Sequence, residues 1–203
     1  MARISAIFWD VGGVLLSNAW DRVQRGRALA HFGLDELEFE DRHEMLGSSF
    51  ERGKISLDDY LQRTVFYRPR PFTPEDFKAC MFSLSQPCEE RLALTRALAH
   101  SCDYLMATIN NESQELNLYR IQRFGLREIF DLFISSCFVG LRKPEEGIYR
   151  LALDITQRPP EECLFVDDRP LNVDAAARLG MSVIRVESTQ QLREELKKFG
   201  CVA

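Results

Sequence analysis

Residues 4–16, ISAIFWDVGGVLL, decide the fold of this chain. A largely apolar run ends at a single aspartate, Asp10, the glycines Gly12 and Gly13 follow, and apolar residues then resume. A short apolar run bounded by a glycine turn predicts a buried β-strand over residues 4–9. An aspartate at the end of such a strand can form a turn, cap a helix or act as a nucleophile, so its role depends on the rest of the sequence.

Four more apolar runs predict buried strands, at 104–109, 132–138, 163–166 and 182–186. A helical pattern precedes each of them, at 88–101, 113–125, 143–155 and 169–180. Gly125 and Gly180 are typical helix ends, and Pro144 and Pro170 are predicted in first turns. Strands that alternate with helices predict an α/β fold with a parallel sheet and helices on both of its faces.

Residues 17–90 differ from this pattern because they contain no convincing β run. Helices are predicted there at 20–32, 35–46, 57–65 and 74–83. The sequence therefore predicts two domains: an α/β core made of residues 1–16 and 91–203, and a small all-helical domain, residues 17–90, inserted after the first strand.

The composition is ordinary for a globular protein, with 45% hydrophobic and 28% charged residues in a chain of 203. A net charge of −5 argues against nucleic acid or an anionic membrane as the main partner. The six cysteines are scattered without a C-x-x-C pair, which predicts reduced thiols. No apolar run reaches membrane-spanning length or resembles a secretory signal, so a soluble, cytoplasmic protein is expected. The oligomeric state cannot be read from the sequence.

Polar residues follow the predicted strands, where ligands bind in an open parallel sheet. They are a carboxylate, hydroxyl and amide groups, a lysine and an acidic pair: Asp10, Thr108, Asn110, Asn111, Lys143, Asp167 and Asp168. Converging carboxylates repel one another, and a hard cation such as Mg²⁺ relieves that repulsion. The lysine and backbone amides then balance a phosphate-sized anion.

The order of these motifs resembles the haloacid dehalogenase superfamily. The matching segments are Asp10-Val-Gly-Gly-Val, Asn110-Asn111, Lys143-Pro144 and Phe-Val-Asp167-Asp168, and the likeness spans essentially the whole chain. The resemblance implies a Rossmann-like, three-layer core and identifies the helical insertion with that superfamily's small helical cap. Sugar-phosphate phosphatases and the amino-terminal phosphatase domain of soluble epoxide hydrolase are the nearest in appearance.

The resemblance also implies a role for each matching residue. Asp10 is the expected nucleophile, which forms an aspartyl-phosphate, and Lys143 is expected to neutralise the transferring group. Mg²⁺ is the expected cofactor, bound by Asp10, the backbone carbonyl of Gly12 and Asp168, with support from Asp167.

Other residues complete the predicted site. The phosphate-binding set is Gly13, Thr108, Asn110, Asn111 and Lys143. Asn172, one helical turn after the acidic pair, is expected to support that pair. Asn18 and Trp20 follow the first strand and are candidates for the cavity entrance, with packing as the competing interpretation of Trp20.

Two positions depart from the family pattern. Most of the phosphatases that the chain resembles carry an aspartate at position 12, which protonates the leaving alkoxide and later activates water. Gly12 cannot do this, and loss of such help typically costs about 10²–10⁴-fold in rate. Ser or Thr usually precedes the first Asn of the second motif, but here Ile109 does. Either Thr108 serves after a local shift of the strand end, or Asn110 and backbone amides act alone, and the second is slightly favoured.

The sequence leaves three functional hypotheses open. The first is a Mg²⁺-dependent phosphatase that acts on a small phosphorylated metabolite. The second is a 2-haloacid dehalogenase, which Gly12 favours and the pair Asp167-Asp168 disfavours. The third is a low-turnover binding or regulatory protein, for which Gly12 and Ile109 are the evidence. The expected partner is a small-molecule phosphate ester.

Overall fold

Five parallel strands form one sheet in the computed structural model, which describes residues 3–101 and 103–201. The strands are β1 (Ala6–Trp9), β2 (Leu105–Asn110), β3 (Leu132–Ser135), β4 (Cys163–Asp167) and β5 (Ser182–Arg185). Their order is β3-β2-β1-β4-β5. β1 is central, because Ala6 pairs with Leu105 of β2 on one side and with Cys163 of β4 on the other.

Ten α-helices lie in the described part of the chain, and several of them cover the two faces of this sheet. They are α1 (Arg22–Phe32), α2 (Glu36–Glu51), α3 (Leu57–Thr64), α4 (Pro74–Ser83), α5 (Glu89–His100), α6 (Gln114–Arg123), α7 (Ser136–Val139), α8 (Glu146–Thr156), α9 (Pro170–Arg178) and α10 (Thr189–Lys198). Apolar residues of α5, α6 and α10 pack with Ile7 and Trp9 of β1. Those of α8 and α9 pack with Ala6 and Phe8, which point to the opposite face. The predicted three-layer α/β fold is therefore confirmed.

Helices α1–α4 form a separate hydrophobic cluster between β1 and α5. Trp20, Phe39, Tyr60 and Phe77 are buried in this cluster. The chain enters and leaves the segment at neighbouring points, because the Ser17 N–H donates to the carbonyl of Gln86 at 2.7 Å. These contacts agree with an inserted helical domain, and the boundaries at 17 and 90 stay a prediction.

Three sequence predictions differ from the structure. The strand predicted over 132–138 ends at Ser135, and α7 follows. The Ser135 hydroxyl donates to Oδ1 of Asn110 at the end of β2, and the Ser136 hydroxyl donates to the carbonyl of Glu51 at the end of α2. Pro144 precedes α8, which begins at Glu146, so it does not occupy the first turn. Helix α10, which Ser188 caps by accepting from the N–H of Gln191, was missed.

Cys80, Cys88, Cys137, Cys163 and Cys201 are free thiols, as predicted, whereas Cys102 lies outside the described residues. Of the helices that the structure describes, none is both long and apolar enough to cross a membrane.

Candidate functional site at the carboxyl ends of the strands

Three aspartates converge at the carboxyl ends of β1 and β4. Asp10 directly follows β1, and its N–H donates to the carbonyl of Val166 at 2.8 Å, which continues the ladder with β4. Asp167 ends β4, and Asp168 is the next residue. One carboxylate oxygen from each of the three lies within 4.8 Å of the others. The parallel pairing of adjacent strands thus assembles the acidic cluster that the sequence predicts.

Lys143 bridges two of these carboxylates. Its Nζ lies 2.9 Å from Oδ1 of Asp10 and 2.6 Å from Oδ2 of Asp167, and its side chain is only 1% exposed. Asn111 fixes the backbone of this lysine: its Nδ2 donates to the Lys143 carbonyl at 2.9 Å, and its Oδ1 accepts from the Lys143 N–H at 2.8 Å. The predicted residue Asn111 therefore positions Lys143 through two hydrogen bonds.

Asp167 and Asp168 have different surroundings although they are neighbours. Both oxygens of Asp167 are occupied, because Oδ1 accepts from the N–H of Arg169, Oδ2 accepts from Lys143, and the Asn172 amide reaches both at 3.0–3.1 Å. Oδ1 of Asp168 is buried and has no hydrogen-bond partner among the described residues. Asp168 thus keeps an oxygen for a ligand, whereas Asp167 holds Lys143 and Asn172 in place.

The electrostatics of the cluster favour a bound cation. Burial raises the pKa of Asp10 to about 7, Lys143 acts in the opposite direction, and the charges of Asp167 and Asp168 raise it further. Burial and the neighbouring Asp167 also raise the pKa of Asp168. One lysine among three carboxylates leaves an excess of negative charge. Asp10, Asp168 and the carbonyl of Gly12 are oxygen donors of the kind that Mg²⁺ prefers.

The two glycines after Asp10 have different spatial constraints. Gly13 has φ of 77°, and a Cβ there would lie 2.3 Å from Oδ2 of Asp168, so a side chain would strain the backbone and displace the Asp168 carboxylate. A Cβ at Gly12 would lie 3.2 Å from Oδ1 of Asn18 and 3.6 Å from Nη1 of Arg120. Position 12 therefore faces polar groups of this chain, and Gly13 allows the backbone to approach Asp168.

Two predicted phosphate-binding residues lie away from this cluster. Thr108 is fully buried beside Trp9 in the sheet, and its hydroxyl has no partner in the described part of the chain. Asn110 is the last residue of β2, and its amide bonds to Ser135 and Asn117. Their role in phosphate binding stays a prediction, but neither residue lines the cavity described below. The reason is that β2 continues through Asn110, so Thr108 lies within the strand.

A cavity of about 660 Å³ lies between the strand ends and helices α1 and α2. Asp10, Gly12, Asn111 and Lys143 line its core side. The predicted entrance residues Asn18 and Trp20 also line it, and their neighbours in the lining include Arg25, His43, Phe50, Glu112, Arg120 and Arg142. The cavity thus extends from Asp10 and Lys143 to a wall that contains aromatic, basic and acidic side chains.

The cap side of the cavity has a fixed hydrogen-bond chain. Nε1 of Trp20 donates to the Tyr60 hydroxyl at 3.0 Å, and that hydroxyl lies 2.8 Å from Nδ1 of His43. Burial, followed by the nearby Arg25, lowers the pKa of His43 to about 4, so the imidazole is neutral near pH 7.

Sequence reasoning missed several cavity residues. His43 and Arg120 lie within helical patterns, where a polar side chain is usually solvated. The sequence does contain a signal for Glu112, because this residue follows Asn111 just after β2, where functional side chains are expected. Glu112 is only 7% exposed and Arg120 only 2%.

Comparison with known proteins shows which family the chain matches. Residues 4–180 match the haloacid dehalogenase-like hydrolases. The chain belongs to this family of hydrolases. The resemblance inferred from the motifs is thereby confirmed.

Individual members of the family share different lengths of the chain. Flavin mononucleotide hydrolase 1 of Arabidopsis thaliana, named as a chloroplast protein, is 29% identical over 84% of this chain and 69% of its own. Bifunctional epoxide hydrolase 2 of Sus scrofa is 41% identical over 36% of this chain, which corresponds to only 13% of that protein. Haloacid dehalogenase family enzyme BT-2542 from Bacteroides thetaiotaomicron, solved as a magnesium complex, superposes with a TM-score of 0.79 at 19% identity and covers 92% and 94% of the two chains. A cytoplasmic location stays a prediction.

Proposed function

We propose that this hydrolase is a Mg²⁺-dependent phosphatase that acts on a small phosphorylated metabolite through an aspartyl-phosphate on Asp10. The observation that carries the proposal is the contact of Lys143 with Asp10 at 2.9 Å beside an acidic cluster, at one end of a 660 Å³ cavity. A cavity of that size suits a small metabolite. The names of the Arabidopsis relative and of the magnesium complex support the same reaction class and cofactor.

The residues supply the main elements of phosphoryl transfer. A carboxylate oxygen of Asp10 would attack phosphorus, and the ester oxygen would leave with the bonding electrons. Lys143 would stabilise the negative charge of the phosphoryl oxygens while it keeps Asp10 oriented. When bound, Mg²⁺ would add positive charge at the phosphoryl group, held by Asp10, Asp168 and the Gly12 carbonyl. Asp167 and Asn172 would keep Lys143 and the acidic pair in position.

A substrate panel tests this proposal. We expect purified protein to release phosphate from at least one of flavin mononucleotide, sugar phosphates or 4-nitrophenyl phosphate, and only when Mg²⁺ is present. Flavin mononucleotide is included because the cavity wall contains Trp20 and Phe50. The measurement is inorganic phosphate release with Mg²⁺ and with a chelator in its place.

The same panel separates the alternatives. Gly12, which has no carboxyl group, is the observation that favours a 2-haloacid dehalogenase, and metal-independent halide release from a 2-haloacid would replace the phosphatase proposal with that one. Absence of turnover in both assays, with inorganic phosphate still bound, would favour a low-turnover binding protein.

Mg²⁺ should also stabilise the fold, and more at high pH than at low pH. At a concentration about 100 times Kd the gain is about 2.7 kcal/mol, or roughly 5–10 °C in Tm. Because the pKa of Asp10 is raised to about 7, protons compete with the cation below that pH. Thermal unfolding with and without Mg²⁺ at pH 5.5 and pH 8 measures the effect.

The direction of this pH dependence follows from the linkage between protonation and folding. A carboxyl whose pKa is higher in the folded than in the unfolded chain lowers the stability of the metal-free protein as pH rises through that interval. Mg²⁺ reverses this loss, so the Tm shift should be larger at pH 8. The variant Asp168→Asn should lose most of the shift. An equal shift at both pH values, or an unchanged one in Asp168→Asn, would contradict the proposed ligand set.

A further inference from the structure

The cavity contains a buried carboxyl group that the scheme above does not use. Glu112 follows β2 and Asn111, and only 7% of it is exposed. Its Oε1 accepts from the Ser113 N–H at 3.0 Å, and its Oε2 accepts from Nη1 of Arg120 at 2.8 Å. A carboxyl group this deep in a cavity needs a structural or chemical reason, because burial of a charge is costly.

Arg120 connects Glu112 to the backbone beside the nucleophile. The same Nη1 lies 3.6 Å from the position that a Cβ of residue 12 would occupy. Nη2 of Arg120 donates to the carbonyl of Ser17 at 2.6 Å, which fixes the guanidinium relative to the loop after Asp10. Through this one guanidinium, the carboxylate of Glu112 is held close to the space beside Gly12.

The scheme above assigns no residue to proton transfer. Expulsion of an ester oxygen produces an alkoxide, which needs a proton, and attack by water releases one. Apart from arginines, the titratable side chains that line the cavity among the described residues are Asp10, Asp21, His43, Glu51, Glu112 and Lys143.

Most of these groups have other partners. Asp10 and Lys143 contact each other, and Asp21 caps α1 by accepting from the N–H of Gln24. Glu51 pairs with Arg142, with 2.8 Å between nitrogen and oxygen.

The remaining candidates are His43 and Glu112. The pKa of His43 is lowered to about 4, which makes it a poor proton acceptor. Burial raises the pKa of Glu112, and the charge of Glu51 adds to this, while Arg120 and the Ser113 N–H oppose it. Glu112 is therefore the better suited of the two for moving a proton near neutral pH.

We propose that Glu112 is the acid–base group of this site and that Arg120 is the residue that positions it beside the leaving oxygen. The inference rests on the proposed phosphatase function and adds a group for the proton transfer that Gly12, which has no carboxyl group, cannot perform.

The proposed steps balance. In the first, Asp10 attacks phosphorus, the phosphorus–ester oxygen bond breaks with its electron pair on that oxygen, and the oxygen takes the proton of Glu112. In the second, water attacks the aspartyl-phosphate, its proton goes to the Glu112 carboxylate, and the bond between phosphorus and Asp10 breaks. Phosphate and alcohol leave, and both side chains return to their starting states.

The test compares two aryl phosphates in the variant Glu112→Gln. Phenyl phosphate has a poor leaving group that needs a proton, whereas 4-nitrophenyl phosphate has one that leaves as an anion. We expect kcat/KM for phenyl phosphate to fall about 10²-fold or more, and that for 4-nitrophenyl phosphate to fall less than about tenfold. Hydrolysis of the intermediate should also slow, which would give a burst of 4-nitrophenolate close to the enzyme concentration.

Controls separate chemistry from structure. Glu161→Gln removes an exposed carboxylate outside the cavity and should leave the ratio of the two kcat/KM values unchanged. Adding Gly12→Asp to Glu112→Gln places a carboxylate near the same Arg120 nitrogen, and the backbone at Gly12 is outside the left-handed region, so we expect activity on phenyl phosphate to recover. Should Glu112→Gln fail to fold, Glu112→Asp keeps the charge and should show the same selective loss to a smaller extent.

Other outcomes would overturn the inference. An equal loss on both substrates without a burst would indicate a purely structural Glu112, as would unchanged kinetics. If wild-type protein shows no Asp10-dependent phosphate release at all, the phosphatase proposal itself fails, which is a distinguishable result.

Discussion

Replacement of Asp10 by Asn should reduce phosphate release by at least about 10³-fold while the protein stays folded. An amide cannot form the aspartyl-phosphate, yet Asn has nearly the same shape, and its Oδ1 can still accept from the N–H of Val11 as the carboxylate does at 2.8 Å. Steady-state phosphate release measures the loss of activity, and thermal unfolding of the same preparation shows whether the variant stays folded.

The expected stability of Asp10→Asn differs from that of a variant that breaks an ordinary ion pair. Burial and two neighbouring carboxylates raise the pKa of Asp10, so its ionised form is unfavourable in the metal-free fold. Lys143 keeps Asp167 as a partner in the variant, so no buried charge is left unpaired. We therefore expect the metal-free variant to unfold at a temperature no lower than wild type above pH 7.

Asp174→Asn is the matched control for this experiment. Asp174 is an exposed residue of α9 in the same core, and its replacement should change neither activity nor Tm. Activity of Asp10→Asn within tenfold of wild type would exclude Asp10 as the nucleophile. A large loss of stability would mean that Asp10 is retained for folding.

Strand periodicity made the core of this protein predictable. β1 is buried at all four positions, and continuous apolar runs of this kind are typical of strands that are covered on both faces. The prediction of a strand over 132–138 was wrong after Ser135. There the Ser136 hydroxyl donates to the carbonyl of Glu51 and accepts from the N–H of Glu112. Such contacts across 24 and 85 residues leave no periodic signal in the sequence.

The candidate site was predictable where its residues lie next to strand ends. Asp10, Lys143, Asp167 and Asp168 lie together as predicted, because parallel strands bring their carboxyl ends to one edge, and their roles stay predictions. The strand predicted over 104–109 ended one residue early, since β2 runs on to Asn110 and element ends are uncertain from local pattern alone. Thr108 therefore lies two residues inside the strand end.

Arg120 could not be found in this way. It lies on α6 near Arg123 and has the spacing of a solvated helix face, but only 2% of it is exposed. Its guanidinium contacts Glu112, which lies just before α6, and the carbonyl of Ser17 in the loop after β1. The contact with Ser17 spans 103 residues and forms only when the folded protein brings the two segments together.

Replacement of Lys143 by Met should be the most destabilising single change at this site, and it should also abolish activity. The variant leaves Asp10 and Asp167 as neighbouring buried carboxylates without their cation. Removal of one partner from a buried pair costs about 3–5 kcal/mol, or roughly 6–20 °C in Tm for a chain of this size. Denaturant and thermal unfolding at pH 7 measure the change.

A double-mutant cycle makes this prediction specific to the charge. If the cost comes from the unpaired carboxylate of Asp167, then adding Asp167→Asn to Lys143→Met should recover part of the lost stability, because the amide needs no cation. Activity should not return, since the phosphoryl group would still lack its lysine. Lys78→Met is the control, because Lys78 pairs with the exposed Asp58, and such surface pairs contribute little. Strictly additive losses in the double variant would instead indicate that Lys143 stabilises the fold through packing of its side chain, as for any buried aliphatic group.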